Sequence, residues 1–139
     1  MTGQRSALSR RELLARTGNL AQLGGTRRVV LDDGFGKGVT AVDVDTGAGL
    51  TFTVLVDRGM DISRCAYNGV NLVWLTPNAE VHPAFYELRG TGWLRTFTGG
   101  LLTICGLTCL GPPGPDGDRE LGLHGRYSTL PAHRFQDRS

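Results

Sequence analysis

The sequence predicts an all-β, mainly antiparallel fold with one short N-terminal helix. Three observations carry that expectation. Period-two alternation of apolar and polar residues takes over after Gly25. Glycine reaches 21 residues, mostly between the β-rich runs, where positive φ and tight turns are needed. Helix punctuation sits before these runs, in "SRRELLARTGN".

That helix is expected from Arg10 to Thr17. The Ser9 hydroxyl can accept from the Glu12 backbone N–H and Glu12 can reach back to Ser9, which is a capping box. Leu13 and Leu14 give it a small apolar face, and Gly18 and Asn19 stop it. "TRRVVLDDG" then reads as a strand closed by a turn at Asp33 and Gly34. "GVTAVDVDTGAG" alternates Val39, Ala41 and Asp43 against Thr40, Val42 and Val44. "LTFTVLVDRGMDI" alternates Phe52, Val54 and Val56 against Thr51, Thr53 and Leu55. "GVNLVWLTP" reads as another strand, stopped by Pro77. "NAEVHPAFYELRGTG" has no clean period and reads as a loop with a turn of helix near Ala84 to Leu88. "WLRTFTGGLLTICGLTCL" resumes the β pattern around Gly99 and Gly100, "GPPGPDGDRE" is a proline-glycine loop, and "LGLHGRYSTL" is a last strand. No repeat or linker divides residues 1–139, which read as a single domain with an irregular tail at 133–139.

Composition excludes several function classes. A net charge of +2, with scattered Arg and Lys, does not suit nucleic-acid binding. No apolar run is long enough to span a bilayer, and the N-terminus lacks the apolar region of a secretory signal. Three cysteines, Cys65, Cys105 and Cys109, are a poor disulfide framework and fit a reducing cytoplasm. Cys105 and Cys109 lie at a loose zinc spacing but lack a second pair, so no metal is expected, and no cofactor. "GFGKG", Gly34 to Gly38, lacks the spacing and the following helix of a phosphate loop and reads as a turn. "DRGMDI", Asp57 to Ile62, reads as a strand-to-turn connection with Gly59 at the bend and a local Asp–Arg pair.

The candidate site residues come from strand alternation. In "LGLHGRY", Gly122, His124 and Arg126 would share one face, with glycine permitting close approach of a ligand or another backbone. In "WLRTF", Trp93, Arg95 and Phe97 would share a face. An aromatic plane beside guanidinium donors suits a sugar, whose C–H face stacks and whose hydroxyls accept. Blander assignments stand beside these. His124 also reads as a hydrogen-bonded structural residue, Trp93 and Phe97 as core, and Arg95 as a side chain snorkelling over apolar surface.

Taken in order, "VLVDRGMDISRCAYNGVNLVWLTP", "GWLRTFTGGLLTICGLTCLGPP" and "ELGLHGRYSTLPA" resemble the galactose-mutarotase-like proteins, within them a bacterial aldose 1-epimerase family branch. "SRRELLARTGNLAQLGGTRR" resembles that branch too, so the likeness runs to about Ala132. The resemblance implies an antiparallel β-sandwich that binds a pyranose in a cleft and interconverts its anomers through the open aldehyde. It places the first active-site histidine at His124 and a sugar-binding arginine at Arg95; the strand faces add Trp93 and Arg126 as further substrate contacts. The family's second histidine and catalytic glutamate lie beyond the "LHG" segment, and its sandwich needs a considerably longer chain. His82 and His133 are the other imidazoles here. The expectation is therefore a partial sandwich: a fragment that binds sugar and is by itself a poor or inactive isomerase. The alternatives are a non-catalytic carbohydrate-binding sandwich and a fragment that self-associates, as a homodimer, through an exposed sheet edge.

Overall fold

The computed structural model describes residues 8–136. The expected tail at 133–139 is thus described only to Gln136, and the start of the N-terminal stretch lies outside the described residues. The fold is mostly antiparallel β with one short helix, as the alternation predicts.

Helix α1 spans Arg10–Leu14, capped by the Ser9–Glu12 box. It is shorter than the expected Arg10 to Thr17. None of its residues is buried, so no packing offsets the cost of further turns, and the chain leaves the helix at Ala15. Strands β1 (Gly25–Val30), β2 (Thr40–Asp45), β3 (Leu50–Leu55), β4 (Asp61–Tyr67) and β5 (Val70–Asn71) form one antiparallel meander in that order. A second hairpin pairs β6 (Gly114–Asp116) with β7 (Arg119–Leu121).

Register explains where the core sits. Val29, Ala41 and Leu55 face one another across β1, β2 and β3. Ala41 and Leu55 are fully buried with Val39, and Val29 and Leu31 pack on them. Further along the same strands, Arg27, Asp43, Thr53 and Arg64 form a polar row. Arg27 pairs with Asp43 at 3.2 Å, and Thr53 donates to Asp43 at 2.9 Å. Arg64 holds Glu80 through two bonds of 2.9 and 3.2 Å, which brings the segment after Pro77 onto the sheet. Between Thr53 and Val54 the pairing with β4 shifts by one residue, leaving Ser63 as the bulge.

Three strand expectations need correction. "GVNLVWLTP" yields only Val70–Asn71 and one bridge at Leu75, because the Asn71 side chain captures both backbone groups of Val73. "WLRTF" is not a strand: Gly92–Arg95 is a 3-10 turn, and the segment behind it contributes isolated bridges, with Gly99 and Gly100 both at positive φ. "LGLHGRYSTL" is a strand only to Leu121, and Tyr127–Thr129 is a 3-10 turn. The loop before Trp93 carries a 3-10 turn at Pro83–Phe85, earlier and shorter than the helical turn expected near Ala84 to Leu88, and "GFGKG" is a turn. No helix among the described residues is long and apolar enough to cross a membrane.

Candidate functional site

The segment from Leu121 to Arg126 folds as it does because backbone packs directly on backbone there. A Cβ on Gly122 would collide with the Leu88 carbonyl oxygen. A Cβ on Gly125 would collide with the Gly106 carbonyl oxygen and stand 2.8 Å from that of Cys109. Between them His124 takes a left-handed φ of 55°. That conformation is uncommon outside glycine and persists only where surroundings over-determine it. They do so here: the His124 N–H donates to Gly111 O at 3.0 Å, and its carbonyl accepts from Gly106 N–H at 2.7 Å. Leu123 N–H donates to Gly90 O at 2.9 Å, and the Tyr86 hydroxyl donates to Gly125 O at 3.0 Å. Burial raises the Tyr86 pKa, so its hydroxyl stays a donor at neutral pH.

The imidazole this loop presents stands edge-on to Trp93, with ring centroids 4.9 Å apart and planes at 80°. Trp93 in turn stacks on Phe97 at 4.8 Å, and Phe97 approaches Trp74 at 6.4 Å. The rings therefore run from buried Trp93 to Trp74, which is 67% exposed. Among the described residues, neither Trp93 Nε1 nor His124 Nδ1 has a hydrogen-bond partner, although both atoms are buried. Two buried polar atoms without a partner on touching rings are an exception to the usual satisfaction of buried polar groups.

Of the four expected site residues, the structure brings Trp93 and His124 into contact. The strand-face reasoning behind that expectation does not hold. Trp93 and Phe97 meet through a 3-10 turn and its exit, and His124 sits in a tight loop. Arg95 does not join them. It is exposed, pairs with Glu87 at 3.0 Å, and lines a separate depression with Asn78, Arg89 and Thr91. Arg126 is exposed beside the His124 loop, in a shallow depression shared with Leu88, Thr108 and Arg119. A wider depression lies over Arg27, Asp43, Thr53 and Arg64 and reaches Leu75. Its two arginines are already ion-paired, Arg27 to Asp43 and Arg64 to Glu80. No group of three or more metal-ligating side chains occurs among the described residues.

Of two features tied to the site's loop, the sequence conveyed one in part and the other not at all. The local pair foreseen in "DRGMDI" exists, with Gly59 at a φ of 61°, but it is buried: Arg58 is 0% and Asp61 2% exposed. Arg58 Nε lies 3.3 Å from Asp61 Oδ2 and its Nη1 donates to Val81 O at 2.8 Å, while Asp61 Oδ1 accepts from Ile104 N–H at 2.7 Å. Burial pushes the Asp61 carboxyl up to about 6, against the pull of the Ile104 N–H and Arg58. Tyr86 had no sequence signal at all, because it lies in an aperiodic loop.

Residues 36–138 match the family described as "Domain of unknown function (DUF4432)". Among solved structures the chain is similar to a crystal structure from Klebsiella pneumoniae subsp. pneumoniae MGH 78578 named "putative aldose 1-epimerase". The two share 30% identity and a TM-score of 0.71 over 81% of this chain and 32% of that one. The chain thus spans about a third of the length of the structure it matches. No curated protein matches it.

Proposed function

Because the chain belongs to the family described as "Domain of unknown function (DUF4432)" and has an aldose-epimerase-like fold, we propose that it binds a free sugar at the Trp93–His124 ring pair and contributes an acid–base histidine to anomer exchange. The observation that carries this reading is the over-determined, left-handed His124, set against Trp93 with its Nδ1 unpartnered among the described residues.

Imidazole exchanges protons near neutrality, as the reaction demands. One group protonates the ring oxygen while a base takes the proton of the C1 hydroxyl. The C1–O5 bond breaks, the aldehyde rotates, and the ring recloses with the proton transfers reversed. His124 is assigned one of these transfers. The exposed edge of Trp93's ring neighbours offers the sugar's C–H face a stacking partner, and Arg126 stands beside the loop as a hydroxyl donor. Arg95 belongs to a more distant contact surface in this reading.

The test is NMR exchange of α-glucose and α-galactose with the purified chain, alongside ¹H–¹⁵N titration of the Trp93 indole. Sugar-dependent shifts at Trp93 that disappear in His124→Ala support the reading. Saturating sugar that leaves both rings unmoved refutes it.

One observation favours self-association as a second property. The β5 edge carries Val70, Leu72 and Trp74 at 64%, 52% and 67% exposure. Exposed apolar side chains at this end of the sheet favour burial against a second copy. Light scattering across concentration decides this, since a monomer at all concentrations removes the proposal.

A further inference from the structure

The turn between β3 and β4 is hydrogen-bonded to the segments that hold His124 on both of its sides. On one side, Ile62 pairs with Leu102, and Asp61 holds the N–H of Ile104. Two residues later the Gly106 N–H grips the His124 carbonyl, and Gly106 bridges Gly125. On the other side, Gly59 N–H donates to Leu130 O and Ala132 N–H to Val56 O, both at 2.9 Å. A third tie runs from Arg58 to the Val81 carbonyl, at the head of the loop whose Tyr86 hydroxyl reaches Gly125.

A buried ion pair is a poor investment in stability alone. Desolvation cancels much of its attraction, and apolar side chains of similar volume often do as well or better. What Arg58 and Asp61 provide is direction. Asp61 offers one oxygen to Arg58 and the other to a single backbone N–H, so the segment leading to Gly106 has one arrangement. We propose that Asp61, held by Arg58, is a positioning residue for His124, acting through Ile104 and Gly106. This rests on the reading of His124 as the sugar-binding imidazole, but its geometric content is independent of any sugar.

The test records the His124 Cε1–Hε1 cross-peak and the Kd for galactose in two variants. Asp61→Ala removes the acceptor for Ile104. Arg58→Met/Asp61→Asn keeps an acceptor there without leaving a charge unpaired. Expected in Asp61→Ala, under conditions where circular dichroism matches the parent, is a moved His124 cross-peak with that of His82 unchanged. The Kd should rise about tenfold, the size of one lost hydrogen-bonded constraint. The double variant should return both readouts towards the parent. An unmoved His124 cross-peak in folded Asp61→Ala overturns the assignment, as does a double variant that folds but restores nothing. If neither variant folds, the pair is a folding element and the positioning role is lost. A parent chain that ignores galactose refutes the proposed function alone, since the cross-peak still decides the positioning.

Discussion

His124 and Trp93 meet edge to face, 4.9 Å between ring centroids, and each buries a ring nitrogen without a partner among the described residues. Such an edge-on contact adds about 0.5–1.5 kcal/mol to simple burial between aromatic rings. An orphaned buried N–H subtracts a comparable amount. Trp93→Phe should therefore be close to neutral in urea unfolding, because it keeps the stack on Phe97 and discards the orphan. Trp93→Ala should cost about 3–5 kcal/mol, the usual range for emptying a large aromatic site. A Phe variant as damaging as Ala would mean that the indole N–H is satisfied in solution.

Gly125 tests whether the loop geometry is as fixed as described. Its φ is 67°, and a side chain would strike two carbonyl oxygens, those of Gly106 and Cys109. Gly125→Ala combines left-handed strain with backbone overlap that no side-chain rotation relieves. We expect a loss of at least about 2 kcal/mol, or no folded protein. Gly34→Ala is the control: its φ of 51° carries similar strain, but nothing lies within 4 Å of the new Cβ. It should cost about 1 kcal/mol.

Comparing these two glycines shows what a sequence can convey. Glycine frequency marks turns, and β1, β2 and β3 follow from alternation because one face of each reaches the Val29–Ala41–Leu55 core. Alternation fails where side-chain capture or backbone packing decides instead. Asn71 ends β5 by bonding Val73, and Gly122 and Gly125 exist to admit the carbonyls of Leu88, Gly106 and Cys109, which lie far off in the chain. Trp93 and His124 could be named from their residue types and the family resemblance. Their contact could not be derived from strand faces, since neither residue is in a strand.

Asp61 predicts a pH dependence of stability whose sign follows from its burial. Its carboxyl is raised from 3.8 to about 6 in the folded chain. Between those values the folded state holds a proton that the unfolded chain has released, so stability falls as pH rises through the window and levels off above about 6. The full effect is on the order of 3 kcal/mol. Glu80 acts in the opposite sense at lower pH. Burial alone would raise it, but the two Arg64 bonds hold it below the usual carboxylate range. Its contribution is present above that range and lost as pH falls through its depressed value. Urea midpoints should thus be highest near pH 4, where the two opposing effects balance, and Arg58→Met/Asp61→Asn should flatten the decline between pH 4 and 6. A parent midpoint that climbs from pH 5 to 7 contradicts the buried, unfavourably ionised Asp61.

The last expectation concerns rate. Anomer exchange needs an acid and a base on opposite sides of the C1–O5 unit, each within hydrogen-bond reach. His124 supplies one such group in the proposed reading. His82 is committed elsewhere, its Nδ1 accepting from Ala84 N–H as the cap of a turn. Asp61 is sealed beneath the loop by Arg58 and Ile104, and the Tyr86 hydroxyl is spent on Gly125. Among the described residues no second acid–base side chain is bonded to the ring pair. The chain by itself should therefore bind sugar measurably while accelerating exchange weakly, short of a paired site by about 10²–10⁴-fold. Exchange rates of α-galactose, read by NMR at several protein concentrations, check this together with the Trp93 indole shift. Rapid exchange that survives in His124→Ala would place the chemistry on other residues. Rapid exchange abolished in His124→Ala would mean that one imidazole, with solvent as its partner, suffices.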